Sequence, residues 1–265
     1  MAAPATQSTT SAAVGVPTRT AFLDTNGLLE LSLYWETCQA ASVTLDSVLT
    51  YASLKSALPR RYRGFQPARS TAQAVGRGQK LFHQLWGRRN DWDYYTSAIC
   101  RAEMHHVLLE QSAQRSLTGM RIPQRLRSDR PLLVFRQTLQ TSDYTALDQK
   151  LSDFFDDLRL SYGVDIKTAE DLSSLDERDV RTAAKIIWSH VLMEVMDAFI
   201  FGCAVVTFSE TLVTRDGPFL EAVNQLAGST ESRWRNARAS IAAAIGTPPG
   251  FIFPRAIKPQ DALPA

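Results

Sequence analysis

The apolar positions of the chain form short strand-like runs separated by longer segments of helical spacing. Residues 21–23 form one such run, and in a second run Leu212, Thr214 and Asp216 share one strand face. Helical spacing of apolar side chains continues through five longer segments: residues 43–58, 98–110, 131–160, 179–195 and 231–245. We therefore expect an α/β protein in which helices follow parallel strands.

The polar stretches between these segments predict loops and boundaries. Pro59 ends the helical pattern before it, and residues 59–79 lack periodicity, which predicts a loop or a mobile insertion. Residues 1–20 are rich in Ala, Ser, Thr and Pro and predict a disordered leader. Gly246 and Pro248 stop the last helix, so the residues after them are expected to form a tail.

Two aspartates stand where the apolar runs end. Asp24 follows the first run, and Asp216 closes the second, where Gly217 and Pro218 break the strand. A charge on a buried face is costly unless something compensates for it. Because open α/β sheets hold their ligands at the carboxyl ends of their strands, both aspartates are candidate binding residues.

Two further acids lie on helical faces that are otherwise apolar. Glu103 lies in a mostly inward-facing stripe of a helix that Ser97 is placed to cap, and Asp197 precedes another apolar stripe. A helix after each strand brings both acids toward the sheet edge where Asp24 and Asp216 lie. Clustered carboxylates repel one another in a low dielectric unless protons or cations neutralise them. Oxygen ligands favour hard cations, which indicates Mg²⁺ or Mn²⁺.

Four segments of the chain together resemble the motifs of the PIN-domain nuclease family. "FLDTN" is similar to the first family motif, "SAICRAE" to the second, "DAFIFGCA" to the third and "LVTRDGPF" to the fourth. The segments occur in the family's order. The intervals between the first and second motifs, and between the second and third, are longer than in the compact toxin members of the family. Toxin biology is therefore not implied.

The resemblance implies a three-layer α/β/α fold with a central parallel sheet and large helical insertions. On this basis residues 21–226 are expected to form a PIN-like nuclease domain, with insertions at about residues 40–92 and 115–178. A basic helix and tail over residues 227–265 would follow it. The acidic site residues that the resemblance implies are Asp24, Glu103, Asp197 and Asp216, supported by hydrogen bonds from Asn26 and Thr214.

The activity that the resemblance implies is a metal-dependent endonuclease, with RNA as the expected substrate. A bound Mg²⁺ or Mn²⁺ would lower the pKa of a water molecule that attacks phosphorus in line with the leaving oxygen. The alternative is an inert module that keeps the fold and binds nucleic acid or protein. A phosphatase built on acids and a metal would require D-x-D after the first strand, where this chain has Asp24, Thr25 and Asn26.

Charge is unevenly distributed along the chain, although the formal net charge is only +2. Residues 47–90 contain no acid, and their basic side chains alternate with aromatic ones, a pattern that suits single-stranded RNA. A solvated, arginine-rich insertion explains the same pattern equally well. The candidate nucleic-acid contacts in this stretch are Arg60, Arg61, Arg63, Arg88 and Arg89.

The remaining features favour a cytoplasmic location. Cys38, Cys100 and Cys203 are isolated, so they predict buried core residues rather than disulfides or a zinc site. The longest apolar stretch contains Glu194 and Asp197, which argues against a membrane-spanning helix. RNA is the expected partner, while a homo-oligomer and an inhibitor protein stay open.

Overall fold

The computed structural model describes residues 19–50, 52–53, 68–119, 140–172, 176–191, 193–247 and 250–264. These residues contain a sheet of five parallel strands in the order β3-β2-β1-β4-β5. The strands are β1 (Arg19–Leu23), β2 (Trp92–Thr96), β3 (Ile166–Thr168), β4 (Thr211–Val213) and β5 (Arg255–Ile257). Residues 1–18 of the expected leader lie outside the described residues, whereas its last two residues, Arg19 and Thr20, belong to β1.

Eight α-helices are present in the described part of the chain. In chain order they are α1 (Thr25–Ala41), α2 (Ala68–Gly87), α3 (Ala98–Gly119), α4 (Thr141–Tyr162), α5 (Glu177–Val191), α6 (Val195–Val206), α7 (Gly217–Gly228) and α8 (Ser232–Ile245). A short 3-10 turn over Ala169–Asp171 follows β3. The expected α/β class with a parallel sheet is confirmed.

The direction in which the chain crosses the sheet reverses beside β1. From β1 the chain proceeds outward through β2 to β3, and it then returns to place β4 on the other side of β1. Because parallel crossovers are right-handed, this reversal sends the two sets of helices to opposite faces of the sheet. One set contains α1 to α4 and the other α5 to α8, in agreement with the contacts among the helices. The arrangement is consistent with three α/β/α layers.

The central strand is buried on both faces, as its apolar run predicts. Ala21, Phe22 and Leu23 have no exposed surface, and β1 pairs with β2 on one side and β4 on the other. Asp24 directly follows this strand and caps the amino end of α1. The carboxyl end of β1, beside the reversal point, is where open α/β sheets bind their ligands.

Helix α2 packs closely against α1 through a glycine. A Cβ atom at Gly78 would lie 2.0 Å from the backbone oxygen of Glu30 and 3.0 Å from the Cβ atom of Tyr34. No larger residue fits at that approach without moving a helix. Residues 68–79 are helical, so the expectation of a loop there is wrong; the buried residues Ala72, Val75 and Gln79 recur at helical spacing.

Three further expectations about secondary structure are wrong. Residues 43–50 form turns rather than a helix, and in one of them the Ser47 N–H donates to the Thr44 carbonyl at 3.1 Å. Residues 115–178 are not a purely helical insertion, because they contain β3. The segment after Gly246 is not only a tail, because it contributes β5 to the edge of the sheet. Both strands have only three residues, too few for a clear alternating pattern.

The helices after residue 176 follow the expected pattern with shifted boundaries. The expected helix over residues 179–195 is α5, which ends at Val191, and Glu194 then occupies the N-cap position of α6 without a side-chain capping bond. Helix α8 is confirmed, with Trp234 and Ile241 on its buried face. No helix within the described ranges combines the length and the apolar character needed to cross a membrane. All three cysteines are buried and unpaired.

Candidate functional site

The four acids singled out in the sequence line one cleft at the carboxyl edge of the sheet. Asp24 follows β1, Asp216 lies beyond β4, Glu103 is on α3 and Asp197 is in the first turn of α6. The cleft has a volume of about 530 Å³. Its lining residues are Asp24, Thr25, Asn26, Leu29, Ile99, Ala102, Glu103, His106, Val107, Met196, Asp197 and Asp216. Four separate parts of the fold therefore each place a carboxylate on the wall of one cleft.

Asp24 is the most buried of these acids, with 4% of its surface exposed. Its carboxylate accepts hydrogen bonds from the Thr214 hydroxyl at 2.7 Å and from the Thr25 backbone N–H at 2.6 Å. The side-chain amide of Asn26 donates a third bond at 3.4 Å. Burial raises the pKa of Asp24, and repulsion from Glu103 raises it further, while these three donors oppose the shift.

Glu103 is held by a residue that sequence reasoning did not single out. The Thr25 hydroxyl donates a hydrogen bond of 2.5 Å to Oε2 of Glu103, while the backbone N–H of Thr25 binds Asp24. One threonine at the start of α1 therefore orients two acids. Its signal in the sequence is its position directly after the aspartate that ends β1. The predicted cap by Ser97 is present, since its hydroxyl accepts from the Cys100 backbone N–H at 3.1 Å.

Asp216 is exposed, contrary to the expectation that it ends a buried strand face. Strand β4 stops at Val213, so Asp216 lies in the following turn and caps α7. Its Oδ1 accepts from the Phe219 backbone N–H at 2.9 Å. Its own N–H donates to the Thr214 hydroxyl at 3.1 Å. Asp216 thus has a structural role as a helix cap in addition to its place in the cleft.

Asp197 is half-buried, and its electrostatics show that the acids influence one another. Loss of hydration raises its pKa to about 6, and the negative charges of Asp216 and Asp24 add to that effect. Glu194 and Glu103 contribute less. Glu194 is exposed at the N-cap position of α6, three residues before Asp197, and acts on it through its charge.

Helix ends help the fold to tolerate this concentration of negative charge. Asp24 caps α1, Asp216 caps α7, and Asp197 lies in the first turn of α6. The amino end of a helix carries a partial positive charge that stabilises a nearby anion by about 0.3–1 kcal/mol. Three helices therefore partly offset the repulsion among the carboxylates.

The donor set fits a hard cation in chemistry, but its side chains do not converge on one point. Within the described ranges, no group of three Asp, Glu, His or Cys side chains is close enough together to form a metal-ligand set. Hydrogen bonds to protein donors occupy Asp24, Glu103 and Asp216. Mg²⁺ usually keeps several water ligands and binds one or two carboxylates, which suits an open cleft of this size.

The two predicted basic contacts within the described residues lie away from the cleft. Arg88 and Arg89 are in the turn before β2, at the opposite end of that five-residue strand from the acids, roughly 16 Å away along the strand. Arg88 donates to the Pro264 carbonyl, and Arg89 donates to the Trp86 carbonyl at 2.6 Å. The other three, Arg60, Arg61 and Arg63, lie outside the described residues.

The wall of the cleft includes Met196, an apolar residue that was not expected at the site, and Val195 beside it in the chain is also exposed. Val195 and Met196, at the start of α6, are 51% and 46% exposed. Met196 lines the cleft beside Asp197, and His106 lines it from α3. The sequence signal for Met196 was its position immediately before Asp197.

Comparisons of the chain with family models, with curated proteins and with solved structures found no match.

Proposed function

We propose that this protein is a metal-dependent endonuclease of the PIN-like type that hydrolyses phosphodiester bonds in RNA. The observation that supports the proposal most directly is the placement of Asp24, Glu103, Asp197 and Asp216 around one cleft. These acids come from four elements far apart in the chain and meet at the reversal point of the sheet, the usual ligand site of such folds.

The charge of the cleft supports a requirement for a divalent cation. A phosphodiester is an anion, and carboxylates lining the cleft would repel it unless a cation neutralised them. Bound Mg²⁺ or Mn²⁺ would supply an activated water and would stabilise charge on the phosphate oxygens. Asp24, Glu103, Asp197 and Asp216 are the residues that would hold the ion.

The residues around the acids keep that arrangement in place. Thr214 and Asn26 donate to Asp24, and the Thr25 hydroxyl donates to Glu103, so these acids have defined orientations before any ligand binds. Preorganised groups of this kind avoid reorganisation during a reaction. The exposed apolar side chain of Met196 on the cleft wall offers a surface on which a nucleobase can pack.

The proposal is tested by incubating the purified protein with labelled RNA and with single-stranded DNA in Mg²⁺, Mn²⁺ or EDTA. We expect cleavage of RNA that requires either metal and is lost in Asp24→Asn and Asp197→Asn. Glu177→Gln is the matched control, because Glu177 is an exposed acid on α5. Undiminished cleavage in EDTA would refute the proposal, and so would wild-type activity in both aspartate variants. Binding of RNA without cleavage in any metal would instead favour the inert binding module.

A further inference from the structure

A second cavity adjoins the acid cleft. Its volume is about 230 Å³, and it shares Asn26, Leu29 and Val107 with the cleft as common lining residues. Side chains from α1, α2 and α3 form its walls. A cavity needs only about 10–15 Å³ of such volume to hold a water molecule. This one is therefore large enough for an organic group.

Glu30, on the wall of this cavity, is a buried carboxylate that is only half satisfied. It is 4% exposed. Its Oε1 accepts from Nε of Arg77 at 2.7 Å and from Arg215 at 3.3 Å. Its Oε2 is buried and has no hydrogen-bond partner among the described residues. A buried charged oxygen without a donor is costly, and in natural proteins such an atom calls for an explanation.

Thr71 presents a second unsatisfied polar atom on the same cavity. The residue is 2% exposed, and its hydroxyl likewise has no partner within the described ranges. Much of the remaining wall is apolar, formed by Leu29, Leu33 and Ala74 among others. Apolar walls with a few convergent polar atoms are typical of small-molecule binding sites. They suit a flat ring whose edge carries a hydrogen-bond donor.

We propose that this cavity is a subsite for a nucleobase with an exocyclic amino group, a proposal that rests on the proposed RNA substrate. The amino group would donate to Oε2 of Glu30, and the Thr71 hydroxyl would bind another atom of the base edge. The base belongs to a nucleotide beside the one whose phosphate enters the acid cleft. Arg215 precedes Asp216 in the chain and has 56% of its side chain exposed. It lines the cavity and pairs with the phosphate that links the two nucleotides.

The chemistry of the two pyrimidines makes the subsite testable. Cytosine and uracil have the same ring size, but cytosine carries an amino donor where uracil carries a carbonyl acceptor. A lone carboxylate oxygen binds the first group and repels the second. A hydrogen bond to a charged partner corresponds to about tenfold or more in affinity. The subsite should therefore prefer cytosine to uracil by at least about tenfold.

The experiment measures binding of short labelled oligo(C) and oligo(U) of equal length by fluorescence anisotropy. Ca²⁺ replaces Mg²⁺ in the buffer, and the length of each oligonucleotide is checked after the measurement. We expect the wild-type protein to bind oligo(C) at least about tenfold more tightly. Glu30→Gln should abolish or reverse this preference. The two arginines keep the amide oxygen at the Oε1 position, so the amide nitrogen occupies the Oε2 position and donates to the uracil carbonyl.

Two further variants keep the inference testable if Glu30→Gln does not fold. Ala74→Leu, within the cavity wall, should reduce oligo(C) binding to the level of oligo(U) by filling the space for the ring. Thr71→Val should narrow the preference without reversing it. Glu177→Gln, the same chemical change at an exposed position on α5, should leave the preference unchanged. Thermal melts establish that each variant is folded.

Several results would overturn the inference. They are equal binding of both oligonucleotides by the wild-type protein, an unchanged preference in Ala74→Leu or folded Glu30→Gln, and no measurable binding of either oligonucleotide. RNA cleavage in Mg²⁺ without any base preference would refute the subsite and support the nuclease activity. A preference for oligo(C) that depends on Glu30, in a protein that cleaves no RNA, would support the subsite and refute the nuclease activity.

Discussion

The Thr214 hydroxyl donates a hydrogen bond of 2.7 Å to Oδ2 of Asp24, a residue 190 positions away in the sequence. This bond joins the carboxyl ends of β4 and β1, the neighbouring strands between which the winding of the sheet reverses. The same hydroxyl oxygen accepts from the backbone N–H of Asp216 at 3.1 Å. One buried hydroxyl therefore positions two of the four acids.

Replacing Thr214 with valine should destabilise the protein and impair the site together. The change removes one of the three donors to the Asp24 carboxylate and leaves the Asp216 N–H without its acceptor, which should cost about 1–3 kcal/mol of unfolding free energy. It should also raise the pKa of Asp24, because a donor that opposes the shift is lost. Denaturant titration and Mg²⁺-dependent cleavage measure the two effects.

Thr214→Ser is the control, since serine keeps the hydroxyl and loses only a methyl group. It should retain most of the activity and lose less stability than the valine variant. If both variants behave alike, the hydroxyl is not what positions Asp24.

Asp197 should make the stability of the metal-free protein depend on pH. Its pKa is raised from 3.8 to about 6 in the folded protein, so the folded state binds its proton more tightly than the unfolded state does. The resulting stabilisation is fully present below about pH 4 and is lost as the pH rises through about 6. In EDTA, Asp197→Asn should therefore gain stability relative to the wild type over this range.

The measurement is a series of denaturant titrations of both proteins in EDTA from about pH 4 to 7, and the quantity compared is the difference in unfolding free energy. Taking this difference cancels the titration of groups that do not interact with Asp197. A difference that does not change with pH would contradict the raised pKa. Millimolar Mg²⁺ should stabilise the wild type more at pH 7 than at pH 5, because protons compete with the ion for the carboxylate.

The two roles of Asp216 can be separated by two substitutions. Asparagine caps helices about as well as aspartate does, so Asp216→Asn should keep the bond from the Phe219 N–H and leave stability in EDTA equal or higher. Asp216→Ala removes the cap and should cost about 1 kcal/mol. Both variants should lose metal-dependent cleavage. Thermal melts with and without Mg²⁺ distinguish the effects, and an asparagine variant stabilised by Mg²⁺ as strongly as the wild type would exclude Asp216 from the metal site.

The contact between α1 and α2 should tolerate no side chain at Gly78. In Gly78→Ala the new methyl group would meet the backbone oxygen of Glu30, and overpacking of this kind costs about 1–3 kcal/mol. Gly87→Ala is the control at the end of the same helix, where a Cβ has no neighbour within 4 Å. It should leave the midpoint of thermal unfolding unchanged or slightly raised. Equal midpoints for both variants would show that the helices are not closely packed there.

The local sequence around Asp24 and Glu103 was sufficient to predict that Asp24 follows a strand and that Glu103 lies on a helix capped by Ser97. An apolar run followed at once by Asp24, and a serine before the helix that carries Glu103, are signals contained within a few neighbouring residues. Backbone propensity and capping act over this same range, which is why such features can be inferred without a structure. The support of Asp24 by Asn26 also belongs here, since these residues are two positions apart.

Tertiary structure alone decided the features that depend on distant parts of the chain. Strands β3 and β5 have three residues each and become recognisable only when paired with β2 and β4. The exposure of Asp216 depends on where β4 ends within the sheet. Glu30 and Thr71 come from different helices, and no sequence pattern indicates that two unsatisfied buried oxygens line one cavity. Local patterns encode the preference of a segment for helix or strand, whereas pairing, burial and cavity shape arise only when segments far apart in sequence pack together.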